Sequence, residues 1–497
     1  MLAALLALLC ASSGALLVAL LWPRGFASGA NRLLQGSLSF GFGLGLFSIV
    51  FLLSRASTGK NLLAIDLAVF ALLLSGYLYK RKRSLSQVAA LGSISSGKAD
   101  PGLLLLVLRA AFAIALLAAL YSALVRTIAQ PHGDGWDAFA IWNLHARFLF
   151  RGGPHWRDGF TPVIPWSHPD YPLLLPAAIA HFWTGLGRES QIVPALIGLV
   201  FTFSTVALLF SSLAMLRGQI SAILGALALL ATPFFIEQGT AQYADVPLSF
   251  FILATIVLLC MYENNSPGGR RGGLAIMAGI SCGFAAWTKN EGLLFLLAMV
   301  ASLLVVPVIA PSRSDAEEAL GRRDITHVNA REAWATITLF LAGLAPLLLL
   351  VVWFKRSVAI SNELFSSIVL SKLLDPSRYL AILKWYGKDF LRFGDWFLIP
   401  GTVLLAGLYL AAPGKRMRGA SPGFRAVRIA VALTLAGYLL IYLITPYDLY
   451  WHLRFSLNRL FLQLWPAVIF LFILGNPAFD QGLSADNPSQ DDPISGK

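Results

Sequence analysis

Residues 110–125 form the run Ala110-Ala-Phe-Ala-Ile-Ala-Leu-Leu-Ala-Ala-Leu-Tyr-Ser-Ala-Leu-Val125, which is apolar in nearly every helical direction. The run 335–352 has the same character. Crossing about 30 Å of hydrocarbon takes about 20 residues at about 1.5 Å per residue, and only a helix pairs all its backbone groups within one segment. A spanning barrel would show short alternating strands instead. These runs therefore predict membrane-spanning α-helices.

The composition agrees with a membrane protein. Of 497 residues, 57% are hydrophobic and 13% are charged, against about 25% charged in soluble domains. Mean hydropathy is +0.72. The net charge of +13 comes mostly from Lys and Arg in short loops, so topology explains it and no nucleic-acid partner is expected. Cys10, Cys260 and Cys282 lie in apolar segments without metal-type spacing, which indicates packing residues.

The apolar segments predict an all-α integral membrane protein with about thirteen transmembrane helices. The predicted spans are residues 2–22, 36–54, 62–79, 102–126, 192–214, 219–236, 246–262, 273–287, 292–310, 335–354, 396–411, 427–445 and 461–476. No basic residue precedes the first segment, which favours a spanning helix over a signal peptide. Basic clusters at 80–83, 270–271, 313–323 and 415–418 should be cytoplasmic.

This topology gathers the loops 127–170, 237–245, 288–291 and 446–460 on the opposite side, together with the long 355–395 connection. It requires that segment 171–187 is interfacial or re-entrant, because a full crossing would place the loops that follow it on the sides of the membrane that the positive-inside rule disfavours. We expect the chain to divide into an N-terminal three-helix segment (1–101), a membrane core (102–310), C-terminal helices with the external loop (311–476) and a disordered tail (477–497).

The first large external loop contains a candidate carboxylate followed by an interfacial helix. After Gly133-Asp-Gly-Trp-Asp137, the residues Asn143, Arg147 and Arg151 share one helical stripe, and the adjoining stripe is apolar. Asp137 is a candidate for chemistry. Its alternative role is that of a helix cap, since a carboxylate is favoured at a helix start.

Two further polar groups adjoin apolar spans on the same side. Asp245 precedes Val246-Pro247 at the start of a helix, where it is either a cap or a functional carboxylate. Lys289 and Glu291 occupy a short turn, where they either pair with each other and snorkel to the interface or serve a site. Together these groups suit an anionic substrate at the lipid surface.

Aromatic-rich segments supply the remaining candidates. His168 lies in Pro165-Trp-Ser-His-Pro-Asp-Tyr-Pro172 as a hydrogen-bonding group, and its isolation disfavours metal ligation. Arg454 and Arg459 lie in an aromatic segment typical of an interface belt, but guanidinium groups also match phosphate oxygens.

The order of these motifs resembles bacterial GT-C superfamily glycosyltransferases, in particular protein-mannosyltransferase-like and aminoarabinose-transferase-like membrane enzymes. The motifs are Asp137 before Trp142-Asn-Leu-His-Ala-Arg147, His168-Pro-Asp-Tyr-Pro172, Tyr243-Ala-Asp-Val-Pro247 and Thr288-Lys-Asn-Glu-Gly292. The likeness covers residues 130–310 in motif detail and the remainder in topology. Three extra spans precede the first motif and no large soluble domain follows, so the acceptor stays open between lipid, glycan and protein.

The resemblance implies a GT-C-like fold, an external catalytic face and a sugar donor linked to polyprenyl phosphate. By position, Asp137 corresponds to the catalytic carboxylate and Asp245 to the acidic residue of the second external loop. We expect Asp137 to be the general base of an inverting transfer, and Lys289 with Arg454 or Arg459 to stabilise the departing phosphate. The other predicted substrate-binding residues are Glu291, His168 and Arg147. No cofactor is required, and a divalent cation between Asp137 and Asp245 is possible.

Two alternatives remain open. A transporter or lipid-linked sugar flippase would use Asp137, Asp245 and Lys289 as an ion or proton relay, although such relays usually lie near the bilayer midplane within repeats. A polymerase or ligase of cell-surface polysaccharide would share the lipid-linked substrate and differ in its acceptor.

Overall fold

The computed structural model describes residues 2–23, 28–57, 62–85, 102–264, 271–309, 330–361, 369–396, 403 and 422–476. These residues form helices and turns, and no β-strand occurs among them. The α-helices in chain order are α1 (Leu2–Leu21), α2 (Gly29–Ser57), α3 (Leu62–Leu85), α4 (Leu103–Ala129), α5 (Asn143–Arg151), α6 (Leu174–Leu186), α7 (Ile192–Leu216), α8 (Gln219–Leu230), α9 (Pro233–Thr240), α10 (Asp245–Asn264), α11 (Gly272–Thr288), α12 (Asn290–Ile309), α13 (Ala330–Ser357), α14 (Val369–Leu373), α15 (Pro376–Arg392), α16 (Pro422–Ile444) and α17 (Leu449–Leu474).

Ten of the described helices are long and apolar enough to cross a bilayer, and the bent pair α8–α9 adds an eleventh. The predicted class, an integral multi-pass helical membrane protein, is therefore confirmed. The predicted count of thirteen spans is not confirmed. The seventeen residues of α11 make it a shorter apolar helix, and the predicted span 396–411 lies almost wholly outside the described residues, as does the predicted disordered tail.

Helix α10 forms the centre of the bundle, with every residue of its apolar window buried. It packs against α7, α11 and α17, and the aromatic side chains of Phe250, Phe251, Phe201 and Phe284 interlock in edge-on or tilted contacts around it. By contrast, only 6% of the apolar windows of α3 and α4 is buried, so these helices lie at the periphery and face lipid.

Close helix packing in the core depends on small residues. A Cβ atom added to Gly279 of α11 would lie 1.9 Å from the Phe340 carbonyl oxygen of α13, and one added to Gly343 of α13 would lie 2.0 Å from the Ile276 carbonyl oxygen. Glycine at both positions lets the two backbones touch, as is common where apolar lipid gives no hydrophobic drive for association. This packing holds α11, whose last residue precedes the Lys289 turn, against α13.

The predicted span 219–236 is broken in the structure. Helix α8 ends at Leu230, Thr232 adopts an extended backbone, and Pro233 begins α9 at an angle of 66° to α8. Proline suits the first turn of a helix because it has no N–H to leave unpaired. The bend directs residues 241–244 sideways toward the first external loop.

The segment predicted to be interfacial or re-entrant forms the short helix α6. Its thirteen residues extend about 20 Å, less than the roughly 30 Å of hydrocarbon, and residues 174–183 are all buried. This length favours a helix that does not cross. The topology of segment 171–187 nevertheless stays a prediction.

Candidate active site

The first external loop and the α9–α10 turn are joined by hydrogen bonds. The Asp134 N–H donates to the Ala241 carbonyl oxygen at 3.2 Å, and the Gln242 amide contacts both the Pro131 carbonyl oxygen at 3.1 Å and Asn143 at 2.9 Å. Gly133 has φ +85°, and a Cβ there would lie 2.7 Å from the same Ala241 oxygen. Glycine is thus required by both backbone conformation and space. The joint brings Asp137 beside the start of α10.

Arg459 of α17 bridges the two aspartates identified in the sequence. Its Nη1 donates to Asp137 Oδ2 at 2.7 Å, while Nη2 and Nε donate to Asp245 Oδ2 at 2.8 and 3.0 Å. The guanidinium also lies over the Tyr243 ring, 4.6 Å from its centroid. The bridge joins residues separated by more than 200 positions in the chain, which supports the prediction that the external motifs meet at one site.

Asp245 is fully buried and surrounded by donors. Besides Arg459, its carboxylate accepts from Lys289 Nζ at 3.0 Å and from Gln463 Nε2 at 2.6 Å. The Tyr438 hydroxyl in turn donates to Gln463 Oε1 at 2.8 Å, which fixes the orientation of that amide. With its lone pairs occupied, Asp245 suits the role of holding cations in place better than that of accepting a proton.

Lys289 lies between two carboxylates in the turn between α11 and α12. Its Nζ is 3.0 Å from Asp245 Oδ1 and 2.8 Å from Glu291 Oε1, and it lies 5.9 Å from the Tyr171 ring centroid. Burial opposes the charge of Lys289, but the negative charges of Asp245 and Glu291 outweigh it and raise the pKa. The predicted Lys289–Glu291 pair therefore exists, but it is buried rather than snorkelled.

The carboxylates of the site differ in availability. The Asp245 side chain is 0% exposed, Glu291 is 13% exposed and Asp137 is 24% exposed. Within the described residues, the buried Oε2 atom of Glu291 has no hydrogen-bond partner. Arg459 holds Asp137 through one oxygen only. Asp137 is thus the most accessible carboxylate of the cluster.

Asp137 is not a helix cap, which corrects one of its two predicted roles. The residue has helical backbone angles, and its side chain makes no capping hydrogen bond to the π-helical turn 138–142 that follows. Its carboxylate binds Arg459 instead. The capping prediction failed because Asp137 has helical backbone angles and continues directly into the π turn, whereas a cap residue lies just outside the helix. Its side chain therefore points to the cluster and not to the helix start.

A second polar group adjoins Lys289, and sequence analysis did not include its members among the site residues. Asn290 Nδ2 donates to Asp170 Oδ2 at 2.6 Å, and Lys355 Nζ donates to Asn290 Oδ1 at 2.7 Å and also to the Asp170 carbonyl oxygen. Asp170 and Asn290 lie within quoted motifs, so their place beside His168 and Lys289 was an available signal. Lys355, at the end of an apolar span, gave none.

The other predicted residues lie apart from the cluster or at its edge. His168 adopts φ +51° and stacks on Tyr171 with ring centroids 4.6 Å apart, and burial lowers its pKa. Arg147 pairs with Glu189 at 3.3 Å. Arg454 is exposed and lies over Phe455. Of the two arginines considered for phosphate, the structure brings Arg459 into the cluster and leaves Arg454 outside it.

Gln463 and Tyr438 are further residues that sequence analysis missed. A lone glutamine in the apolar run Leu460-Phe-Leu-Gln-Leu-Trp465 is a signal, since polar groups inside a span need internal partners. Its spacing of four residues from Arg459 places both side chains on one helical face. Tyr438 is indistinguishable from a packing residue in the sequence.

The guanidinium of Arg459 occupies the position between Asp137 and Asp245 where a divalent cation was considered. Among the described residues, no group of three or more His, Cys, Asp or Glu side chains has the arrangement of a metal site. Metal dependence stays a question for experiment.

Comparison with known proteins supports the predicted class. Residues 167–314 match the model of a family described as dolichyl-phosphate-mannose-protein mannosyltransferase. The match includes His168, Asp245, Lys289 and Glu291, and it ends before Arg459. It confirms the predicted resemblance to GT-C membrane glycosyltransferases over this part of the chain.

No curated protein matches the chain in sequence. Among solved structures, the chain is similar to ArnT from Cupriavidus metallidurans, a crystal structure with bound undecaprenyl phosphate, at 15% identity and a TM-score of 0.35. The similarity covers 74% of this chain and 78% of that one.

Proposed function

We propose that the protein transfers a sugar from a polyprenyl-phosphate-linked donor to an acceptor at the non-cytoplasmic face of a cell membrane, with inversion at the anomeric carbon. The observation that carries the proposal is the junction of Asp137, Arg459, Asp245 and Lys289, which come from four separate chain segments. The matched family, described by a dolichyl-phosphate-linked mannose, supports a lipid-phosphate donor. The positive-inside rule supports the external orientation, with a bacterial inner membrane as the expected location.

Asp137 is the proposed general base. The acceptor hydroxyl gives its proton to Asp137 while its oxygen forms the new bond to the anomeric carbon. The bond from that carbon to the phosphate oxygen breaks, and its electron pair stays on the phosphate. A positioned base typically contributes about 10² to 10⁴ in rate. Because one oxygen of Asp137 is held by Arg459, the other is oriented for the acceptor.

Lys289 and Arg459 are proposed to stabilise the departing phosphate. A lysine has three N–H donors, and two from Lys289 are directed to Asp245 and Glu291, which allows one more for a phosphate oxygen. Arg459 donates three of its five N–H groups to the two aspartates, which leaves two for a phosphate oxygen. Fixed charges in a partly desolvated site stabilise developing negative charge strongly. Asp245 keeps both cations in position.

The test uses purified protein in nanodiscs, supplied with polyprenyl phosphates carrying different hexoses and pentoses and with lipid, glycan and peptide acceptors. We expect release of polyprenyl phosphate together with a new glycosidic bond of inverted configuration, measured by mass spectrometry and NMR. Release without acceptor would reveal hydrolysis only. A product with retained configuration would contradict the single-displacement mechanism.

A transporter or flippase is the competing function. Its charged residues would form a relay near the bilayer midplane. Here Asp245 begins α10 and Lys289 follows the last residue of α11, so both lie at helix ends. Reconstituted vesicles distinguish the two functions: movement of the lipid-linked sugar between leaflets without any new bond would favour the flippase and contradict the proposal.

A further inference from the structure

A buried Asp–His contact lies away from the candidate active site and joins the N-terminal three-helix segment to α6. Asp66 of α3 and His181 of α6 meet with His181 Nε2 at 2.9 Å from Oδ2 and 3.1 Å from Oδ1. The side chains are 1% and 0% exposed. The two residues are separated by 115 positions, so the contact is a tertiary one between distant parts of the chain.

The surroundings of Asp66 make this pair unusual. Helix α3 otherwise faces outward, with Leu63 and Leu67 each 50% exposed and Leu72 73% exposed. Asp66, one position before Leu67, is nevertheless completely buried. An ionisable group at membrane depth is costly, and such groups usually serve function or fix one arrangement of the fold.

The imidazole of His181 is held by α2 as well as by α3. The Phe47 ring centroid lies 4.4 Å from that of His181, and the Phe51 centroid lies 6.2 Å away. His181 Nδ1 is buried without a hydrogen-bond partner in the described part of the chain. Among the described residues, the imidazole therefore makes its polar contact through Nε2 to Asp66, and this contact joins α3 to α6.

Helix α6 continues directly from the segment that borders the active site. Tyr171, ten positions before His181, lies under Lys289, and the adjacent Asp170 binds Asn290. The opposite face of α6 supports α5 through the Phe150–Trp183 contact. A shift of α6 would thus move the wall beside Lys289 and the helix that follows Asp137.

We propose that Asp66 and His181 are positioning residues: the pair fixes α6 through the N-terminal segment and so sets the position of the His168–Tyr171 wall of the active site. The inference rests on the proposed function for its kinetic consequence. The pair thereby gives the N-terminal three-helix segment a role in positioning the active site. A misplacement of about 1 Å at a catalytic site costs up to about 10² in rate, so a small shift of α6 has a measurable effect.

The central variant is the apolar double replacement Asp66→Leu/His181→Phe. Replacing a buried ion pair by apolar groups of similar volume is often neutral or stabilising, so this variant should fold. It removes the directional contact without leaving a buried charge. Asp66→Leu alone is the second variant, which removes the contact while keeping the His181 ring against Phe47. The control is Ser75→Ala on the exposed part of α3, where the hydroxyl donates to the Ala71 carbonyl oxygen of the same helix.

Two readouts separate positioning from stability. The first is the distance distribution between spin labels on Trp166→Cys, beside the wall, and Tyr450→Cys, at the start of α17; both side chains are more than half exposed. The second is a steady-state comparison of KM and kcat. We expect folded Asp66 variants to show a shifted or broader distance distribution and about a tenfold or larger fall in kcat/KM, mainly through KM. The Ser75 control should match the parent.

A folded double variant with the parental distance distribution and kcat/KM within twofold would overturn the inference and leave the pair a structural contact only. If the double variant does not fold, the distance distribution and kcat/KM of Asp66→Leu are compared with those of the parent, and the same outcomes support or overturn the inference. The distance measurement needs no turnover. A parent protein inactive toward all lipid-linked sugars would therefore refute the proposed function while the positioning claim is still tested independently.

Discussion

Replacing Arg459 by methionine should damage both stability and activity, because among the described residues it is the one side chain that bonds both Asp137 and Asp245. The side chain is 18% exposed, and Asp245 is fully buried. Removing one partner of a buried ion pair typically costs about 3–5 kcal/mol, since it leaves an uncompensated charge. Lys289 and Gln463 still donate to Asp245, so we expect a loss near the lower figure, about 3 kcal/mol. Asp137 would lose its orientation, and kcat should fall at least about 10²-fold.

A lysine at position 459 refines the prediction. One ammonium group can replace the contact to Asp245 but does not present the fork that reaches both aspartates. Arg459→Lys should therefore recover most of the stability and little of the activity. Arg454→Met is the matched control, because this exposed arginine on the same helix contacts only Phe455 among the described interactions, and surface changes usually stay within about 0.5 kcal/mol.

The assay combines thermal unfolding in nanodiscs with initial rates of polyprenyl phosphate release. In Arg459→Met, Lys289 alone among the described residues faces the carboxylates of Asp245 and Glu291, so adding Asp245→Asn should restore part of the stability by removing this excess negative charge, without restoring activity. If Arg459→Met unfolds at the temperature of the parent and keeps its kcat, the bridge has no role and the description of the site is wrong.

Three further predictions concern single residues of the cluster. The raised pKa of Lys289 keeps its ammonium charged, so the stabilising effect of this charge should be fully present below the ordinary lysine pKa of about 10.4 and be lost only as pH rises through the raised value. The difference in unfolding temperature between the parent and Lys289→Met should therefore stay constant from neutral pH to about pH 10. If the two unfolding temperatures converge well below pH 10, the prediction is refuted. Gly133→Ala should cost about 1–3 kcal/mol through its positive φ and separate the two loops, lowering activity, whereas Gly36→Ala, in open space within α2, should do neither. Gln463→Leu removes one of the donors to buried Asp245 and takes from the Tyr438 hydroxyl its hydrogen-bond partner among the described residues, so it should cost about 1–3 kcal/mol; equal stability would show that the amide is dispensable.

The helical membrane fold was predictable because a continuous apolar run has few other solutions in a bilayer. The limits of prediction lie where polar residues are satisfied by distant segments. Residues 449–460 were predicted to belong to a loop because they include His452, Arg454 and Arg459, yet they form the first turns of α17. That part of the loop prediction is wrong, since Arg459 is neutralised by aspartates supplied by other helices.

The membership of the site was predictable in part. Motif order indicated Asp137, Asp245 and Lys289, and the structure brings them together. The choice between Arg454 and Arg459 was not decidable in sequence, because both lie in the same aromatic segment and only helix phase separates them. The Asp66–His181 pair could not be predicted from the sequence, since an acidic residue in a peripheral helix gives no sign of a partner 115 residues away.

The most direct test of the account is a single-turnover experiment on Asp137→Asn with saturating lipid-linked sugar and acceptor. The substitution keeps size and removes basicity, so donor binding should stay close to that of the parent while the rate of bond formation falls by about 10² or more. Asp158→Asn, a carboxylate 65% exposed in the same external loop, is the control and should behave as the parent. A parental single-turnover rate in Asp137→Asn would contradict the assignment of Asp137 as the base.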